Sequence, residues 1–187
     1  MQAYNVRKCY FQTTGYSNEH CLVMRHEFEK PCEIAVHFTL AVWKRMTVTE
    51  NFEARLMELD PRDDEFVLSV DTLLESLPVE CHESLIPAIF RFFEKYPLED
   101  CGAPGTLVHL TEHFYPSYKS ILLNSLARAP SYNAILMTNR ILNSNLSAQE
   151  RQEYLSALSD VAIQPSVNPV LAQQARHFIE HQAKKHS

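Results

Sequence analysis

From Pro31 onward the apolar residues of this chain recur at helical spacing, and the pattern is interrupted at prolines and small polar turns. Pro31 opens CEIAVHFTLAVWKRM, in which Ile34, Phe38, Ala41, Val42 and Arg45 fall on helical spacing. Proline suits a first helical position because its missing N–H would be unpaired there. The next segment is NFEARLMEL, with Thr49 or Asn51 as its cap and a stop at Asp60-Pro61. In DDEFVLSVDTLLESL, the residues Phe66, Val67, Val70, Leu73, Leu74 and Leu77 make one apolar helical face. Asp63 and Asp64 sit at its N-terminal end, where the helix dipole favours negative charge.

CHESLIPAIFRFFEKY places Leu85, Ile89, Phe92 and Phe93 on one side. Pro87 within it means either a start near Glu83 or a kink. The run from Cys101 to Asn145 then divides into three short helices: TLVHLTEHFY to Pro116, SYKSILLNSLARA from Ser117, and SYNAILMTNRILNSN from Ser131. Ser147 and Glu150 form a capping box before AQERQEYLSALSDVAIQ. Asn168 and Pro169 start the last helix, and Lys184 and Lys185 suit its C-terminal end.

These segments make an all-α chain of about nine or ten helices whose short loops force antiparallel neighbours. They recur at roughly 15–20 residues, compatible with degenerate helix-pair repeats of the HEAT type. Sequence identity between pairs is poor, so a compact irregular helical bundle stays open beside the α-solenoid of antiparallel helical hairpins. Residues 1–18 are polar and aromatic without a helical period and are set apart as an N-terminal arm; residues 19–187 are taken as a single all-helical domain.

Composition narrows the function. The 187 residues suffice for one domain with a real core. The chain has only 3 glycines, Gly15, Gly102 and Gly105, too few for a loop that cradles a phosphate or nucleotide. A surface rather than a ligand pocket is expected, and no cofactor. Lys plus Arg is 17 against 23 Asp plus Glu, a net charge of -6, which disfavours a nucleic-acid backbone and favours a basic partner. The 5 cysteines, Cys9, Cys21, Cys32, Cys81 and Cys101, form no CxxC pair and read as reduced thiols of a cytosolic protein. No signal-peptide run and no membrane-length apolar window is present, so secretion and membrane insertion are not expected.

His109-Leu-Thr-Glu112-His113 matches H-x-x-E-H, an inverted zinc-protease motif. On a helix, His109 and His113 would share a face and both could ligate zinc. A third ligand and a cleft are missing from the sequence around it, and Tyr115-Pro116 ends the helix at once. A zinc-dependent hydrolase is therefore the lesser alternative; a buried or half-buried core His109 with a solvated or structural Glu112 is the expected outcome. His177 and His181, with Glu180 between them, form a second pair read as exposed, and His26-Glu27 and His82-Glu83 have no further ligand by spacing. No G-x-S-x-G motif or local catalytic-cysteine signature occurs. Asn139, Arg140 and Asn143 are read as a buried ladder bonding loop carbonyls of the next helix pair, with a partner-reading patch as the alternative. Glu94, Glu99 and Asp100 at one turn, and Asp60, Asp63 and Asp64 at another, are the candidate partner-binding rim. Charge reversal of Glu99 and Asp100 is expected to slow association with a basic partner.

The run Pro97, Gly102, Pro104-Gly105, Leu107-Val108-His109, Glu112, Tyr118, Leu122, Ser125, Arg128, Pro130, Met137, Asn139-Arg140 and Asn143 resembles small HEAT-like, all-helical immunity proteins. These belong to bacterial contact-dependent growth inhibition (CdiI-type) and related polymorphic toxin systems. The resemblance covers roughly residues 80–182. It implies a non-enzymatic cytoplasmic protein that binds and neutralises one cognate toxin domain, often a basic nuclease. A HEAT-like scaffold with another protein partner is the alternative.

Overall fold

The computed structural model describes residues 47–102 and 104–185. The N-terminal arm, the domain boundary at residue 18, the Pro31 segment, His26-Glu27, Gly15, Cys9, Cys21 and Cys32 lie outside the described residues. Within them the chain is all-helical, with no strand. Helix α1 covers 47–57. It is followed by α2 (Phe66–Glu75), a 3-10 turn (Val79–Cys81), α3 (His82–Lys95), α4 (Thr106–Glu112), α5 (Lys119–Arg128), α6 (Tyr132–Leu142), α7 (Ala148–Ile163) and α8 (Pro169–Lys185).

Local chemistry explains most of these boundaries. The Ser131 hydroxyl accepts from the Ala134 N–H, closing the start of α6. Ser147 and Glu150 make the full reciprocal capping box at α7. Asn168 Oδ1 accepts from the Val170 N–H at α8. One expectation is corrected. Thr49 and Asn51 do not cap α1, because the helix already runs through them; Thr49 Oγ1 instead meets Ser84 Oγ on α3 at 3.3 Å. Helix α3 begins at His82, beside the expected start at Glu83, with Pro87 just beyond its first turn; the burial of the residues around it holds the helix together.

The packing order gives the architecture. Helices α3, α5 and α7 pack in sequence as one layer, and α2, α4, α6 and α8 as a second. The hairpin pairs α3–α4, α5–α6 and α7–α8 join the layers. Helix α1 adds to the first layer: Arg91 of α3 pairs with Glu53 at 2.5 Å, and Lys95 Nζ donates to the Met57 carbonyl at 2.7 Å. Several side-chain bonds between successive hairpins span a similar distance along the chain. Thr106 and Asp71 are 35 residues apart, Arg128 and Glu94 are 34, Asn133 and the Glu99 carbonyl are 34, and Arg91 and Glu53 are 38. That interval is one helix pair. The described residues are therefore stacked helical hairpins with the connectivity of a two-layer α-solenoid.

Helix α3 is the centre of this stack. Leu85, Ile86, Ala88, Ile89, Phe90, Phe92 and Phe93 are all buried, leaving only a narrow polar strip. Phe92 stacks on Phe66 of α2 with ring centroids 5.7 Å apart, and Phe90 meets Phe93 edge-on at 6.1 Å. Burying each such phenyl ring contributes about 2–3 kcal/mol. On the polar strip, Arg91 reaches back to α1 and Glu94 reaches forward to α5. At the outer end, α7 buries only a stripe of Tyr154, Leu158, Val161 and Ala162.

Candidate functional site

The loops joining α1 to α2 and α3 to α4 lie on the same edge of the stack, and Arg62 ties them together. Its Nε donates to Glu99 Oε1 at 3.1 Å and lies 3.7 Å from Asp60 Oδ1. The two acidic turns, separate in the sequence, thus form one continuous surface. Asp60, Asp63, Asp64 and Asp100 are exposed and Glu99 is half-buried. Leu98 adds an exposed apolar side chain beside Glu99.

Each turn is held from within. Asp63 Oδ1 accepts from the Glu65 N–H at 2.9 Å, and Asp60 Oδ1 accepts from the Arg62 N–H at 3.1 Å. Asp100 Oδ1 accepts from the Gly102 N–H at 3.0 Å. The following hairpin pins the second turn: the Tyr132 N–H donates to the Pro97 carbonyl at 2.8 Å, and buried Asn133 Nδ2 donates to the Glu99 carbonyl at 3.0 Å. Gly102 and Gly105 serve this turn. Gly102 has φ +98, and a Cβ on Gly105 would stand 2.1 Å from the Cys101 carbonyl oxygen. The glycines therefore build the α3–α4 corner. Burial pushes the Cys101 thiol up to about 12, so it stays protonated in neutral solution and is a poor nucleophile.

Glu94 is tied to the next helix of its layer. Its carboxylate takes two hydrogen bonds from Arg128 Nη2, at 2.8 and 2.6 Å, and its side chain is only 13% exposed. It joins α3 to α5. Asp64 has no hydrogen-bond or ion-pair partner among the described residues and is the freest acid of the set.

The H-x-x-E-H residues take other positions. His109 is exposed rather than buried or half-buried, which corrects the expectation for it; its Nδ1 lies 3.6 Å from Glu112 Oε2. Helix α4 is short and presents Leu107, Val108 and Thr111 to the core, which turns His109 outward. His113 is exposed just past its end. Glu112 carries a two-point pair with Arg140 Nε and Nη2. Among the described residues no group of three His, Cys, Asp or Glu side chains is placed to hold a metal ion.

Asn139 and Asn143 form a ladder, but to side chains and not to loop carbonyls. Gln182 Nε2 donates to Asn139 Oδ1 at 2.8 Å and to Asn143 Oδ1 at 3.1 Å, and Lys185 Nζ donates to Asn143 Oδ1 at 3.0 Å. The carbonyl-bonding amide of this helix is Asn133 at its first turn. Arg62, Leu98 and Asn133 are the residues sequence reasoning passed over. Arg62 carried a signal, as the lone cation within Asp-Pro-Arg-Asp-Asp.

Together these features define a two-layer stack of α-helical hairpins with an internally braced acidic loop edge. No helix among the described residues is long and apolar enough to cross a membrane. No family model, curated protein or solved structure matches the chain.

Proposed function

We propose that this is a non-enzymatic binding protein: a cytoplasmic immunity protein that neutralises a cognate toxin domain with a basic, nuclease-type surface. The observation that carries the reading is the single acidic edge made when Arg62 joins the Asp60–Asp64 turn to the Glu99–Asp100 turn. An acidic surface braced from beneath costs little ordering entropy on binding, and opposite charge speeds encounter. The net charge of -6 and the resemblance over the second half of the chain point the same way. Nucleic acid and membrane are not the expected partners, and no cofactor is needed. The reading expects a toxin gene beside this one, and the experiment is co-expression with its toxin domain. A stoichiometric complex on gel filtration and restored growth of toxin-expressing cells are expected. A toxin that remains active and unbound in the presence of excess protein would overturn the proposal.

A further inference from the structure

At the opposite end of α4 and α6 from the acidic edge, a cleft of about 330 Å³ opens between the α4–α5 turn and the end of α6. Its apolar walls are Tyr115, Tyr118 and Ile141, and the two tyrosine rings meet edge-on at 5.9 Å. Its polar wall is the Glu112–Arg140 pair, with Asn143 and Ser144 at the rim. Two donors remain unspent. Arg140 uses Nε and Nη2 on Glu112, which leaves Nη1 without an acceptor among the described residues. Tyr118 is 1% exposed and its hydroxyl has no hydrogen-bond partner among the described residues. Buried hydroxyls are rarely left so.

We propose that this cleft is a binding pocket for an aromatic residue of a partner protein, whose backbone carbonyl is received by Arg140 Nη1 and the Tyr118 hydroxyl. Three observations select that occupant. The paired tyrosines and Ile141 form a corner that suits an aromatic ring, which packs edge-on against such faces. Arg140 Nη1 can only donate and the Tyr118 hydroxyl can also donate, so an incoming acceptor satisfies both. Glu112 neutralises Arg140, so an uncharged carbonyl fits better than a carboxylate, which would approach Glu112 at a cost. Burial raises the Tyr118 phenol above its ordinary value, so it stays a donor through the neutral range. Reaching the hydroxyl takes a side-chain rotamer change at the cleft wall, a common adjustment on binding. The pocket is independent of the acidic edge and of the identity of the toxin.

The test uses the full chain and N-acetyl-L-phenylalanine amide, followed by NMR chemical shifts of the Ile141 methyls and the Tyr118 ring. Saturable shifts with a dissociation constant on the order of 1 mM are expected for a fragment of this size. Tyr118→Phe keeps the ring and removes only the hydroxyl; it is expected to weaken binding about tenfold. Ser144→Tyr, at the exposed rim, is expected to block binding without touching the core. N-acetyl-L-phenylalanine, the carboxylate analogue, is expected to bind more weakly than the amide. An absence of shifts at these residues, equal binding by folded Tyr118→Phe, or tighter binding of the carboxylate would each overturn the proposal.

Discussion

Arg128 and Glu94 lie 34 residues apart and meet at 2.6 Å, with the Glu94 carboxylate almost withdrawn from solvent. The pair joins α3 to α5 within one layer of the stack. An acid that reads in sequence as part of a partner-facing rim thus also bonds the fold. Glu94→Gln is expected to lower stability by about 1 kcal/mol or less, since Arg128 is largely exposed. It is expected to leave association with the basic partner unchanged. Urea unfolding and binding kinetics on the same variant check both; a stability-neutral variant that slows association would place Glu94 at the interface.

The α3–α4 corner is built on glycine. Gly105→Ala would bring its Cβ to 2.1 Å from the Cys101 carbonyl oxygen, and is expected to destabilise by about 3 kcal/mol. Gly102→Ala meets a positive φ of +98 and the Val67 methyl at 3.1 Å, and is expected to cost about 1–2 kcal/mol. The urea midpoints of the two variants measure the order. A Gly105→Ala protein as stable as wild type would contradict the geometry of this corner.

The α6–α8 contact rests on Gln182, which is 2% exposed and bonds Asn139 and Asn143 together. Gln182→Leu strands the Asn139 carbonyl oxygen, and is expected to cost about 1–3 kcal/mol. Asn139→Leu in the same chain removes the stranded group, so the double variant is expected to cost less than the two single losses added together. Thermal melts of the three proteins decide it, and strict additivity would contradict the pairing.

Acid acts on the first layer through Glu53. The hydrogen bond from Arg91 holds the Glu53 carboxyl below its ordinary value, against the opposing effect of burial. A carboxyl depressed by folding contributes stability above its unfolded value, and that contribution disappears as pH falls through the folded value. Melting temperature is therefore expected to fall as pH drops below about 4.5. Glu53→Gln is expected to lower the melting temperature at pH 7 and to flatten this acid dependence. Parallel pH profiles for the two proteins would contradict the role given to the pair.

Sequence periodicity made the helices legible because each must bury one stripe. The capping box at Ser147 and the cap at Asn168 were legible because they are local. The two-layer order was not, because it is written in pairs about one hairpin apart, such as Asp71 with Thr106, whose types do not announce each other. Acidic turns were visible in composition. That they share one surface depends on Arg62 crossing between loops, and that Glu94 is tied to α5 depends on Arg128. His109 was misread because its helix shows too few residues for its buried face to be distinguished by period alone.

The account turns on whether the acidic edge receives the partner. Asp100 holds its own turn through the Gly102 N–H, so reversal there would disturb the loop as well as its charge. Asp64→Lys is the cleaner change, because Asp64 bonds nothing among the described residues, whereas Glu99 holds Arg62. Its association rate with the toxin domain that the reading expects should be measured at about 50 mM and 200 mM salt, alongside wild type. The account predicts association slowed at least tenfold at low salt, a flatter salt dependence and an unchanged helical spectrum. Association rates equal to wild type at both salt concentrations, in a folded variant, would contradict it.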